Sequence, residues 1–269
     1  MPLHPHPHTI GVFDSGIGGV SVAAAVAKRL PGVSMIYVAD NARAPYGPRS
    51  AGEIRAFSRE ITRSLLAAGA GMIVVACNTA TAWAIDALRA EFPGVPFVGM
   101  EPALKPAAAG GKIGVLATRA TLDSARYREL RAKYLSAHAV WEDDCRGLVP
   151  LIEVERPGSG ALRRHLRGII DPLVAEGVDT LVLGCTHYPM VKEDIAAVAG
   201  PGVTVLDPAP AAARQVERLL GGADVRVGER GAHHFYGTGT GEALERSLQR
   251  LPALNAGRKW LVPYAALTV

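Results

Sequence analysis

Short apolar runs rich in β-branched side chains recur along the chain: IGVF (10–13), MIYVAD (35–40), MIVVAC (72–77), VPFVGM (95–100), KIGVLAT (112–118), HAVWED (138–143), TLVLGC (180–185) and VTVLD (203–207). Continuous apolar runs of this length predict strands buried on both faces, as in parallel sheets. Between them lie stretches that read as helices: SVAAAVAKRL (21–30), EIRAFSREITRSLLAAG (53–69), TAWAIDALRAEF (81–92), SARYRELRAKYL (124–135) and ALRRHLRGIIDPLVAEG (161–177). Strand and helix alternate throughout, which predicts an α/β class with doubly wound, mainly parallel sheets. In such sheets ligands bind outside the carboxyl ends of the strands.

The pattern also repeats. RSLLAAGAGMIVVACNT (63–79) lies over DPLVAEGVDTLVLGCTH (171–187) at a constant offset of 108, which places Leu65 on Leu173, Gly69 on Gly177, Val74 on Val182 and Cys77 on Cys185. Both segments read as helix, glycine cap, buried strand, cysteine. TIGVFDS (9–15) resembles KIGVLAT (112–118) at an offset of 103. The two matches in the same order predict two pseudo-symmetric α/β halves. If the halves face each other across a central cleft, the two thiols converge from opposite sides.

Composition narrows the class. The chain has 269 residues, 49% hydrophobic and 20% charged, enough for one large domain or two modest ones. The net charge is +4 and the basic residues are dispersed. A mild cluster at Arg126, Arg128, Arg131 and Lys133 reads as a solvated helix face, so no nucleic-acid partner is expected. Three cysteines do not make a disulfide framework. With no signal pattern and no run long enough to span a bilayer, a cytoplasmic protein with no membrane partner is expected. The histidines of HPHPH (4–8) alternate with proline and read as a tail rather than a metal site.

Cys77 is followed by Asn78 and Thr79, Cys185 by Thr186 and His187. Each thiol is expected at a strand-to-helix turn, where a helix N-terminus or a neighbouring cation favours the thiolate. Four readings stay open. A disulfide does not suit a reducing compartment. A zinc site from Cys77, Cys185 and His187 lacks the usual close ligand pairs. Two inert core thiols would leave the polar residues behind each one unexplained. Two proton-transfer bases on opposite faces of one carbon would invert a stereocentre, the work of a racemase without a cofactor. FDSGIGGVSV (13–22) adds a turn with Gly16, Gly18 and Gly19 that does not meet the dinucleotide spacing. Asp14 and Ser15 there could steer an ammonium group or polarise a thiol, or simply cap the next helix.

FDSGIGG, APYG (44–47), ACNTATA (76–82), LVPLIE (148–153) and LGCTHYP (183–189) resemble glutamate racemase, of the aspartate/glutamate racemase superfamily, in sequence and in order from about residue 9 to about residue 240. The resemblance implies that Cys77 and Cys185 are the catalytic thiols, assisted by Asp14 and His187, with Glu153 near the second. It implies that Ser15, Tyr46, Gly47, Asn78, Thr79 and Thr186, together with Asp14 and His187, hold glutamate, and more weakly Thr118 and Thr121. No metal or organic cofactor is implied. The implied chain path closes the first domain with the C-terminal region, giving residues 1–98 plus 208–269 and residues 99–207, with FYGTGTGEALERSL (235–248) returning to the first. A homodimer is expected, as is supply of D-glutamate for peptidoglycan. LDPAP (206–210) stands where DSG or DSA is frequent, and Asn41 where Thr is common; neither position carries chemistry. Two other readings remain: a racemase of aspartate or hydantoin type, and an additional role as an inhibitor of DNA gyrase. A basic N-terminal segment would mark the latter, and MPLHPHPHTI is not basic.

Overall fold

The structure is a computed structural model that describes residues 9–221, 231–239, 242–249 and 259–263. The N-terminal histidine tract lies outside them. The strands are β1 (Thr9–Asp14), β2 (Ser34–Ala39), β3 (Met72–Val75), β4 (Phe97–Gly99), β5 (Lys112–Ala117), β6 (Ala139–Asp143), β7 (Thr180–Gly184), β8 (Thr204–Leu206), β9 (His233–Gly237) and β10 (Lys259–Pro263). The helices are α1 (Val20–Arg29), α2 (Ala51–Ala67), α3 (Asn78–Glu91), α4 (Leu104–Ala107), α5 (Arg119–Leu122), α6 (Ala125–Leu135), α7 (Leu148–Val154), α8 (Gly160–Ala175), α9 (Lys192–Ala199), α10 (Ala209–Leu219) and α11 (Glu242–Gln249). The chain divides into two compact units, residues 1–100 with 209–269 and residues 101–208.

Each unit is built on one parallel sheet. The first has the order β10-β9-β2-β1-β3-β4, the second β6-β5-β7-β8. Four adjacent strands of the first, β2-β1-β3-β4, correspond to the whole of the second. The register agrees as well. Val12 pairs with Val74 in the first sheet, and Val115 with Val182 in the second. These are the partners that the offsets of 103 and 108 require, so the sequence repeat is a repeat of strand pairing. The outer pairs follow it, Val74 with Val98 and Val182 with Leu206.

The helix ends before the thiol strands repeat too. After α2, Gly69 has φ +91°, the Gly69 amide bonds to the Leu66 carbonyl and the Ala70 amide to that of Leu65. After α8, Gly177 has φ +80°, with Gly177 bonding to Val174 and Val178 to Leu173. This is the Schellman closure, whose left-handed residue is comfortable only without a Cβ. It turns the chain straight into an interior strand of each sheet, β3 or β7. Both strands are wholly buried, β3 against the Phe13, Ile54, Ile61, Leu65 and Ile85 cluster, β7 against Leu148, Leu162, Leu166 and Ile170.

The first sheet is completed from far along the chain. β9 pairs in parallel with β2, Tyr37 with Phe235, and β10 adds outside it. α10 packs on α1, and Arg29 pairs with Glu217. The basic cluster on α6 resolves into local contacts: Arg126 with Glu101, Arg131 with Glu142, Arg128 on the Asp123 carbonyl and Lys133 over Tyr134. No helix among the described residues is long and apolar enough to cross a membrane.

Candidate active site

In an order such as β2-β1-β3-β4, the chain leaves β1 toward β2 and later returns to the far side through β3. The gap past the ends of β1 and β3 is therefore the switch point where a ligand can enter. Asp14 ends β1 fully buried, and its Oδ2 accepts from the Gly16 and Gly19 amides at 3.1 and 3.0 Å. The carboxylate thus fastens the DSGIGG turn. Gly19 has to be glycine there, since a Cβ would lie 2.6 Å from Asp14 Cβ and 2.9 Å from the Tyr37 hydroxyl.

Cys77 stands two residues beyond β3, which stops at Val75 rather than running through the cysteine. It is the N-cap of α3: the Ala80 amide donates to Sγ at 3.4 Å, and the thiol donates to Ser15 Oγ at 3.5 Å. A sulfur at a helix N-terminus sits where aligned backbone dipoles favour negative charge. Asn78 and Thr79 open the helix and are buried. Both polar atoms of the Asn78 amide are buried without a hydrogen-bond partner. Leaving a buried polar group unmatched costs roughly 1–3 kcal/mol, so the amide is suited to a ligand that brings both a donor and an acceptor.

Tyr46 lies in the same apolar cluster as Cys77 and donates to Asp40 Oδ2 at 2.5 Å. Gly47 follows, and a Cβ there would meet nothing within 4 Å. Tyr37 donates to the Gly16 carbonyl at 3.0 Å. Burial pushes both phenols well above their ordinary range, with Asp14 and Cys77 adding to it at Tyr37, and Asp40 and Cys77 at Tyr46. Both stay protonated, with their protons committed to other oxygens.

The second sheet has its switch point between β5 and β7. Thr118 follows β5, its Oγ1 3.0 Å from Thr121 Oγ1. Cys185 directly follows β7, with Sγ 3.8 Å from His187 Nδ1. His187 Nε2 lies 3.0 Å from Glu153 Oε1 on α7. Thr186 and His187 are buried, while the Glu153 side chain is 34% exposed. The thiol, the imidazole and the carboxylate form one relay. Gly147, at φ +81°, starts α7 and aims it so that Glu153 reaches the imidazole.

Both thiols sit at strand-to-helix turns, as expected, but only Cys77 caps an α-helix directly. Cys185 is followed by a single 3₁₀ turn, Tyr188–Val191, before α9 begins. Pro189 in that turn has no N–H, and the His187 imidazole lies beside the sulfur.

The structure groups Asp14, Ser15, Tyr46, Gly47, Cys77, Asn78 and Thr79 in the first unit. It groups Thr118 with Thr121, and Glu153, Cys185, Thr186 and His187, in the second. Sequence reasoning missed Tyr37, Asp40, Cys145 and Tyr188. Asp40 carried a readable sign, ending MIYVAD as Asp14 ends IGVFD. Cys145 is a third free thiol, pushed up by burial and by Asp143, and Tyr188 is buried near it and Cys185. Among the described residues no group of three or more His, Cys, Asp or Glu side chains is placed to hold a metal ion.

Known proteins resemble this chain in sequence and fold. The profile of the Asp/Glu/Hydantoin racemase family matches residues 19–216. A glutamate racemase of Ectopseudomonas mendocina is 48% identical over 215 residues, 79% of this chain and 82% of that protein. The crystal structure of a Bacillus anthracis glutamate racemase superposes with a TM-score of 0.83 at 30% identity, covering 97% of this chain and 98% of that one. The Escherichia coli glutamate racemase, solved with L-glutamate and the activator UDP-MurNAc-ala, gives 0.83 at 32% identity over 95% and 97% of the two chains. With its switch-point thiols, its repeated sheets and these relatives, the chain belongs to the Asp/Glu/Hydantoin racemase family of isomerases.

Proposed function

We propose that this protein is a glutamate racemase, interconverting L- and D-glutamate by proton transfer between the α-carbon and two thiols, Cys77 and Cys185. The observation that carries this reading is the repeat: each sheet has a buried thiol just past the end of an interior strand, at equivalent positions of one strand pairing. One base per face is what inversion needs. The thiolate on one face takes the α-proton while the thiol on the other gives its proton to the opposite face. The two sulfurs thereby exchange protonation states, and no external proton is consumed.

The helpers divide accordingly. Asp14 and Ser15 serve Cys77, alongside the amides that start α3. His187, backed by Glu153, serves Cys185. The Asn78 amide can donate to a carboxylate and accept from an ammonium, which suits an amino acid. Thr79, Thr186, Tyr46 and Gly47 complete the binding of glutamate, with Thr118 and Thr121 as further contacts. Because the α-proton is weakly acidic, hydrogen bonds to the α-carboxylate and exclusion of water supply the stabilisation that a cofactor supplies elsewhere. The relatives of that name support glutamate over other amino acids. The product fits a role in supplying D-glutamate for peptidoglycan. The test is circular dichroism or chiral chromatography of L-glutamate incubated with the purified protein beside L-aspartate. Racemisation of glutamate alone is expected; turnover of aspartate in preference, or of neither, would overturn the assignment.

A further inference from the structure

Asp40 stands one residue past β2, and its amide bonds to the Asp14 carbonyl at 3.0 Å, next to the turn that holds Ser15. Its side chain is fully buried. Oδ2 accepts from Arg43 Nε at 2.6 Å and from the Tyr46 hydroxyl at 2.5 Å; Oδ1 accepts from the Thr238 hydroxyl at 3.0 Å. The Thr238 hydroxyl oxygen in turn accepts from the Ala42 amide at 2.9 Å. Arg43 is itself fixed, paired with Glu60 at 2.7 Å and lying 4.4 Å over the Phe57 ring. One carboxylate therefore ties together the end of β2, residues 42–46 and the end of β9, nearly 200 residues away along the chain.

That knot joins the apolar cluster that holds the thiol. Tyr46 belongs to the cluster that contains Cys77, and the position after it, Gly47, opens onto free space. A loop of this kind has little regular structure of its own to hold it. Charge-assisted bonds to a buried carboxylate are the strong kind, and they are what sets its position. They also turn the Tyr46 proton toward Asp40.

We propose that Asp40 is a positioning residue of the Cys77 half-site, holding residues 43–47 in place beside the thiol and locking them to the C-terminal return strand β9. This deepens the racemase reading and rests on it for its kinetic consequence, but the geometry of the thiol can be tested without it. Ground-state binding should suffer more than chemistry, because Asp40 acts on the wall of the site and not on the reacting atoms.

The experiment compares the full-length protein with Asp40→Asn and Thr238→Val, each checked for folding by far-ultraviolet circular dichroism. Asp40→Asn removes the charge that holds Arg43; Thr238→Val removes only the tie to β9. For Asp40→Asn, KM for glutamate should rise about tenfold with kcat within about threefold, as for the loss of one hydrogen bond to a charged group. Thr238→Val should move the same way by less. In parallel, iodoacetamide labelling resolved by mass spectrometry should show Cys77 alkylated several-fold faster relative to Cys185 in the same sample. If the wild type does not racemise glutamate, the functional reading fails and the alkylation ratio alone decides Asp40. If Asp40→Asn does not fold, Thr238→Val decides. An unchanged ratio, or a fall in kcat with KM untouched, would overturn the proposal, since a merely structural residue lowers the active fraction without changing either.

Discussion

Replacing Glu153 by Gln isolates one physical quantity, the charge behind His187. The amide is nearly isosteric and can still bond to Nε2, now 3.0 Å from Oε1. What is lost is the charge of a carboxylate behind an imidazole whose Nδ1 stands 3.8 Å from the Cys185 sulfur. The Glu153 side chain is 34% exposed, so water screens it, and a value near the top of the range for solvent-exposed pairs, about 1 kcal/mol, applies. At 1.36 kcal/mol per factor of ten, kcat/KM should fall about fivefold. The fall must be equal for L-to-D and D-to-L turnover, because enantiomers have equal free energy. Glu153→Ala should cost more, a further 1–3 kcal/mol or so, because it leaves a nitrogen of a buried imidazole unmatched. Coupled-enzyme or polarimetric assays in both directions measure all of this. Between about 0.01 M and 1 M salt the Debye length drops from about 30 Å to 3 Å, so the gap between wild type and Glu153→Gln should narrow. A Gln variant as damaged as the Ala variant, with no salt dependence, would refute the electrostatic role and leave Glu153 as packing alone.

Cys77→Ser and Cys185→Ser should each abolish racemisation, while elimination from a substrate analogue of one hand survives in one of them; near-normal turnover by both mutants in both directions would rule out two bases. Asn78→Ala should raise KM for glutamate by roughly tenfold or more, since a buried amide matched by ligand is lost, while stability is held or improved because an unmatched group is removed from the free protein; thermal melting with and without glutamate reads both. Activity should survive EDTA and exhaustive dialysis, whereas a loss that zinc alone restored would favour a metal bound by Cys77, Cys185 or His187.

The architecture was legible because the central strands of a parallel sheet are buried on both faces and must be apolar throughout. The repeat was legible for a further reason. Gly69 and Gly177 mark the only comfortable way out of each helix, so spacing from glycine to cysteine is fixed by backbone geometry. Short elements escaped notice. α4, α5 and α7 are too brief to show a helical period, and LVPLIE was visible as a motif but not as a helix. The candidate site was legible where a reactive side chain stands at or just past a strand end, as at Asp14, Cys77 and Cys185. It was not where function depends on contacts distant in sequence. Nothing local says that Asp40 will meet Thr238, or that Tyr37 will point its hydroxyl at the Gly16 carbonyl. The repeat places the two thiols alike but leaves their surroundings unequal, since the chain after Cys185 carries Pro189 where the chain after Cys77 continues into a long helix. Duplicated strand pairing fixes where the sulfurs lie, while the residues just beyond them decide what each one meets: a backbone amide at Cys77, an imidazole backed by a carboxylate at Cys185. A reaction that removes a proton from one face and returns it to the other has no need of identical bases, only of two that can exchange roles.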